Sequence, residues 1–394
     1  MIRQIETESI YLDHAATTPV DPDVLRVMTP WFTESFGNPS SIYQLGQQSR
    51  AALDSARAQC AKVLGCHPSE IIFTSGATES NNLALAGAVW AWRARHPDGP
   101  APHIVTTAIE HHAVLHEAEW LASIGFGLTV VPVNAHGLVD AADIEAAIRP
   151  ETAVISTMGA NNETGAIQPL TAISEVARKH GVPVHTDAVQ MAGLLTLDVD
   201  ALGVDLLALS AHKFYGPKGV GLLYVRRGTT LSWQQLGGGQ ESGRRGGTEN
   251  VPLIVGMGAA LAVAERDRKQ YEHDCRTLRN QLFQEIDERI DGITVNGPPL
   301  DDQRLANNLN LTIAGVQGET VLLNLDMADI AASAGSACTT GNSQPSHVLK
   351  AMGFSDDRCR TSIRLSVGRC NDAEQIIEAA ESLADAVLRI RELG

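Results

Sequence analysis

The sequence predicts an α/β protein, with a large domain on a mostly parallel seven-stranded sheet and a smaller α+β domain after it. Three observations carry this. Seven short apolar runs alternate with helix-period stretches between residues 71 and 225, the pattern of repeated βαβ units with both sheet faces covered. Near residue 251 the pattern changes to one long helical stretch followed by shorter mixed elements. A chain of 394 residues also exceeds what one ordinary core organises.

The elements follow in order. The polar, strand-like start at 1–13 can join either domain. Buried strands are expected at 71–74, 104–106, 128–132, 153–157, 183–186, 206–208 and 220–225. Helices are expected between them at 78–90, 112–123, 141–147 and 170–179, the last stopped by Gly181-Val182-Pro183. Beyond 251 come a connecting helix at 254–289, strands at 294–296, 307–313 and 362–366, and helices at 318–325, 346–352 and 373–391. The expected organisation is a large domain at 16–260 and a small domain formed by 1–15 and 261–394. No internal repeat is visible.

Composition excludes several classes. Apolar residues are 44% and charged residues 19%, which is ordinary for a globular chain. A net charge of -16 argues against a general nucleic-acid binder, which needs a basic face. No window approaches the ~18 apolar residues of a membrane span, and the candidate at 251–264 is broken by Pro252, Gly256 and Gly258. The N-terminus lacks a signal-peptide core, so a cytoplasmic protein is expected. Six scattered cysteines form no CxxC pair and read first as reduced, small hydrophobes. Cys338 stands apart, in the Gly/Ala/Ser-rich run ASAGSACTTGNS at 332–343. That run reads as an idle linker or as a tether for a nucleophile, with Gly335 and Gly341 as hinges.

In doubly wound folds, ligands bind beyond the carboxyl ends of the strands. The residues there form a set. After 71–74 a small-residue turn, Ser75-Gly76-Ala77-Thr78, opens a helix and offers N–H groups to a phosphate, or is a plain turn. After 104–106 comes His111, after 153–157 Asn161-Asn162, after 183–186 Asp187 and Gln190, and after 206–208 Ser210-Ala211-His212-Lys213. Singly, each reads equally as a cap, a turn former or a solvated charge. Together they match what pyridoxal phosphate needs: a Schiff-base lysine, an acid for the pyridine nitrogen and an anion cradle.

The ordered motifs FTSGATESNN, NNETGAIQP, HTDAVQ, SAHKFYGPKGVG, RRGGTEN and SAGSACTTG, from Tyr11 to Gly368, resemble the pyridoxal-phosphate cysteine desulfurases of the NifS/IscS type. These are fold-type-I, class V aminotransferase-like enzymes. The resemblance implies Lys213 as the Schiff-base lysine, Asp187 on the pyridine nitrogen and Gln190 on the phenolic oxygen. It implies His111 stacked on the ring and moving protons, and Ala77, Thr78, Ser210 and His212 around the phosphate. Thr248 would reach the phosphate of the other subunit, giving a homodimer with shared sites. Asn162 would contact substrate and cofactor, and Arg364 would grip the substrate carboxylate. Cys338 would attack the sulfur of L-cysteine, giving L-alanine and a Cys338 persulfide that passes to a sulfur-acceptor or scaffold protein. No resident metal is implied, although Cys338 could transiently ligate an iron–sulfur cluster. The distance from Cys338 to the helix near 346–349 resembles the long-loop group, which serves external acceptors. Iron–sulfur cluster assembly is the commonest use in the family, with nitrogenase maturation, tRNA thiolation and DNA phosphorothioation as others. A selenocysteine lyase shares most of these motifs. An aminotransferase needs no mobile thiol, and an idle sulfur-relay scaffold needs neither Lys213 nor Cys338. His14 departs from relatives that carry Asn or Tyr there.

Overall fold

A computed structural model of the chain describes residues 9–334 and 345–393. Its strands are β1 (Ile10–Tyr11), β2 (Ile71–Thr74), β3 (His103–Thr107), β4 (Gly127–Val131), β5 (Thr152–Ser156) and β6 (Val184–Asp187), then β7 (Leu206–Ser210), β8 (Gly221–Val225), β9 (Ile293–Val295), β10 (Asn308–Ile313), β11 (Ile330–Ala331) and β12 (Ser362–Ser366). The large sheet runs β2-β8-β7-β6-β5-β3-β4. Within it β4, β3, β5, β6 and β7 are successively parallel, and only β8 runs against its two neighbours. The expected seven-stranded, mostly parallel sheet is therefore present.

These strands read as unbroken apolar runs because both faces are covered. Alternate residues enter different clusters. Ile71, Phe73 and Leu222 pack with residues of the helices Gln44–Leu64 and Val251–Arg289. Ile72, Ile104 and Leu223 pack with residues of the helices Ala77–Arg95 and His112–Ser123. Among the sheet's strands the edge strand β4 alone carries an exposed residue, Val130.

The helix Val251–Arg289 is continuous over 39 residues and contains the expected boundary at 260/261. Its Asn250 cap accepts the Leu253 N–H, and Pro252 sits in the first turn, where no N–H is missed. The first half buries Ile254, Met257 and Leu261, and the second half Cys275, Leu282 and Ile286. Gly258 lets it approach the helix Gln44–Leu64 closely: a Cβ there would lie 2.9 Å from the Ala56 Cα. The Gln44–Leu64 helix was not foreseen. Its buried face includes Gly46, Ser49, Ala56 and Ala61, so its apolar period is faint in the sequence.

The smaller sheet is β12-β10-β9, antiparallel throughout. The segment from Ile10 to Asp13 joins this side of the molecule: β1 pairs in parallel with β11, and Asp13 bridges to Ser366 at the end of β12. Among the described residues no helix is long and apolar enough to cross a membrane.

Candidate active site

A cavity of about 580 Å³ opens at the carboxyl ends of the parallel strands. Its lining includes Ala77, Thr78, His111, Asn162, Asp187, Gln190, Ser210, His212, Lys213 and Arg364. Ten of the twelve expected site residues thus meet in one place. Thr248 does not line this cavity and is exposed. Cys338, with Gly335 and Gly341, lies outside the described residues.

The anion cradle follows from the local sequence. Gly76 caps the helix Ala77–Arg95 and supplies no side-chain cap. The first-turn N–H groups at Ala77 and Thr78 therefore need an outside acceptor, and the helix dipole favours a negative one. Gly221 keeps the turn in place, since a Cβ there would lie 2.7 Å from the Gly76 Cα. Glu79, in the same first turn, would repel an anion if left free. Arg245 grips it as a fork, Nε to Oε1 at 2.8 Å and Nη2 to Oε2 at 3.1 Å, and Ser75 donates to it from N–H and hydroxyl. Burial raises the Glu79 pKa, but these donors outweigh it and bring it below the usual value.

Asp187 ends β6 and is 6% exposed. Its Oδ2 accepts from the Asn81 amide at 2.7 Å and its Oδ1 from the Val189 N–H at 3.0 Å. These two donors fix the plane of the carboxylate. Lys213 follows β7 in a short 3-10 turn, and its Nζ donates to the carbonyls of Ala15 and Ala16, both at 2.7 Å. Gln190 donates to the same Ala15 carbonyl at 3.0 Å. The segment after β1 thereby forms part of the cavity floor.

His111 caps the helix His112–Ser123, with its Nδ1 accepting the Ala113 N–H at 3.1 Å. The neutral ring then carries its proton on Nε2. Burial lowers the His111 pKa; Asp187 opposes this, while Lys213, His347 and His116 reinforce it. His212 is likewise held down, at about 4, by burial and by Lys213 and Lys218, and it bonds the Thr17 hydroxyl through Nδ1 at 3.1 Å.

Arg364 reaches the cavity from β12. It is 2% exposed, with Nη1 donating to the Asn162 carbonyl at 2.9 Å and Nη2 to Asp13 at 2.7 Å. Its buried Nε has no partner among the described residues. Two of its N–H groups thus fix the guanidinium at the wall of the cavity it lines. Of the adjacent amides, Asn161 is a scaffold residue. It is fully buried and accepts from the Glu163 and Thr164 N–H groups. Asn162 is the one in the cavity.

The residues flanking the Cys338 segment are anchored beside Arg364. Ser333 pairs with Arg364 as an antiparallel bridge, and the Ser346 hydroxyl donates to the buried Glu163 at 2.5 Å.

The cavity fits pyridoxal phosphate: an open first turn for its phosphate, a held carboxylate for its ring nitrogen and a lysine for its aldehyde. Sequence reasoning missed Asn81, Arg245 and Lys218. Asn81 had a signal, since it lies four residues after Ala77 on the same helix face.

Comparison with known proteins agrees with this geometry. Residues 10–378 match the family described as Aminotransferase class-V. The chain is 44% identical to cysteine desulfurase IscS of Methanosarcina thermophila, over 99% of this chain and 94% of that one. It is 42% identical to cysteine desulfurase IscS of Dictyoglomus turgidum, over 98% and 96%. Among solved structures it is similar to a NifS-like protein, with TM-score 0.89 and 34% identity over 97% of this chain and all of that one. It is also similar to SspA in complex with cysteine, with TM-score 0.80 and 39% identity over 91% and 99%.

Proposed function

The chain belongs to the class-V aminotransferase family, and from that premise we propose how it works as a pyridoxal-phosphate-dependent cysteine desulfurase. L-cysteine and the Cys338 thiol give L-alanine and a Cys338 persulfide: the substrate's Cβ–S bond breaks and an S–S bond forms at Cys338. When bound, pyridoxal phosphate would draw electrons from the substrate's α-carbon and so weaken the neighbouring Cβ–S bond.

The chain's own residues divide the remaining work. The first turn at Ala77 and Thr78, with Ser210 and His212, holds the phosphate. Asp187 holds the proton of the ring nitrogen, and Gln190 reaches the phenolic oxygen. Arg364 and Asn162 hold the substrate from the cavity wall they both line. Lys213 is the point of attachment and, once displaced by substrate, takes the α-proton. Burial favours the neutral form of His111, and its ring covers the cofactor. Its Nδ1 accepts from the Ala113 N–H, so its Nε2–H serves as a hydrogen-bond donor, and the ring takes up a proton only by releasing that cap. Cys338 attacks as the thiolate.

The single observation that carries this reading is the meeting of Lys213, Asp187, His111 and Arg364 around one cavity. Thr248 is exposed and lies outside its own subunit's cavity, and Phe36, Ile42 and Leu236 are exposed apolar side chains; both support a homodimer that shares sites. The five described cysteines are all free thiols, which suits the cytoplasm. The sulfur goes to an acceptor protein, and iron–sulfur cluster assembly is the destination we propose.

The test is direct. Purified protein should carry a yellow cofactor and release sulfide and alanine in equal amounts from L-cysteine with a thiol reductant. Cys338→Ala should keep the colour and lose the sulfide. Lys213→Ala should lose the cofactor's imine absorbance. Undiminished sulfide from Cys338→Ala would refute the persulfide step.

A further inference from the structure

We infer that Asn81 is a positioning residue that ties the ring-nitrogen acid to the phosphate cradle, so that one helix sets the spacing between the two ends of the cofactor. The inference rests on the pyridoxal-phosphate reading above. Ala77 and Thr78 present the cradle in the first turn of the helix Ala77–Arg95, and Asn81 stands one turn later, about 6 Å along the axis. Asn81 is fully buried, and its amide donates to Asp187 Oδ2 at 2.7 Å. Its Oδ1 is buried with no partner among the described residues.

The direction of this bond is fixed by chemistry. Turning the amide over would place an oxygen lone pair against the Asp187 carboxylate, so Nδ2 must face the acid. The cost of that orientation is the orphaned Oδ1. Asp187 needs the arrangement for two reasons. The amide donor makes a charge-assisted bond to the carboxylate, which is the form that holds a protonated ring nitrogen. The bond also fixes the carboxylate plane, because Val189 N–H takes the other oxygen at 3.0 Å. β6 alone would leave the acid's side-chain rotation unset.

The test measures pyridoxal phosphate affinity of the cofactor-free protein by fluorescence titration, with wild type, Asn81→Ala and Asn81→Asp compared at about pH 8 and about pH 6. Asn81→Ala should weaken binding about tenfold or more at both pH values, through loss of a charge-assisted bond. Asn81→Asp is isosteric and opposes two carboxylates. Such a pair takes up one proton readily, and the protonated side chain then donates to Asp187 as the amide did. Its affinity deficit relative to wild type should therefore be large at the higher pH and shrink at the lower. A purely structural role would leave that deficit independent of pH. Wild-type binding with Asn81→Ala within twofold of it would overturn the inference and leave the cofactor reading intact. A pH-independent deficit in Asn81→Asp would do the same, and decides the matter if the alanine variant does not fold. Failure of wild type to bind pyridoxal phosphate would overturn the cofactor reading itself.

Discussion

Replacing Arg364 by lysine probes the substrate end of the site. The positive charge stays, but the fork is lost. In the structure Asp13 and the Asn162 carbonyl fix the guanidinium at the wall of the cavity it lines. Lysine keeps at most one donor toward the carboxylate and cannot hold both anchors at once. A hydrogen bond to a charged group is worth about 1.5–3 kcal/mol, so losing one and misplacing the other should cost about 2–3 kcal/mol, roughly 30- to 150-fold in kcat/KM. The assay is sulfide release from L-cysteine, compared with L-cysteine methyl ester, which keeps amine and thiol but lacks the carboxylate charge. Wild type should prefer the acid strongly, and Arg364→Lys should lose most of that preference. An unchanged ratio between the two substrates would refute the assignment, whatever happened to the absolute rate.

Three further outcomes are expected. Arg245→Ala should release Glu79 beside the anion cradle and weaken pyridoxal phosphate binding about three- to tenfold, measured by titration of the cofactor-free protein. Gly258→Val should force the helix Val251–Arg289 off Ala56 and lower stability by about 1–3 kcal/mol in urea unfolding, with cofactor affinity intact. Glu110 is fully buried, its Oε1 accepting from Thr107 and Met158, and burial pushes its pKa from 4.5 up to about 8. The folded state then holds a proton that the unfolded chain releases, so this stability is full below pH 4.5 and is lost as pH rises through about 8. Glu110→Gln should remove that loss, and its stability relative to wild type should rise with pH across this range. A gap that stays constant with pH would contradict the buried-acid assignment.

Much of the site was legible because strand ends in a doubly wound sheet converge whatever the loops do. His111, Asp187 and Lys213 could be placed on one edge before any coordinates, and they line one cavity. Asp187 and Ser210 proved to be the last residues of their strands rather than one and two residues beyond them, a shift of the size at which strand ends are ambiguous. What stayed hidden was pairing across long separations. Nothing local joins Arg245 to Glu79, Asn81 to Asp187, or Asp13 to Arg364. Each of those contacts is set by packing between elements, not by a spacing along the chain.

The sequence by itself determined the alternation of strand and helix, the edge where chemistry gathers and the identity of the groups gathered there. Periodicity and turn chemistry are local, and residue type fixes what a side chain can donate, accept or attack. Only the tertiary structure decided which way those groups are held: Asp187 by an amide one helix turn past the cradle, Glu79 by a distant arginine, and Arg364 by the chain's own beginning. A buried charge must find partners wherever the fold brings them, and the fold here brings them from opposite ends of the chain.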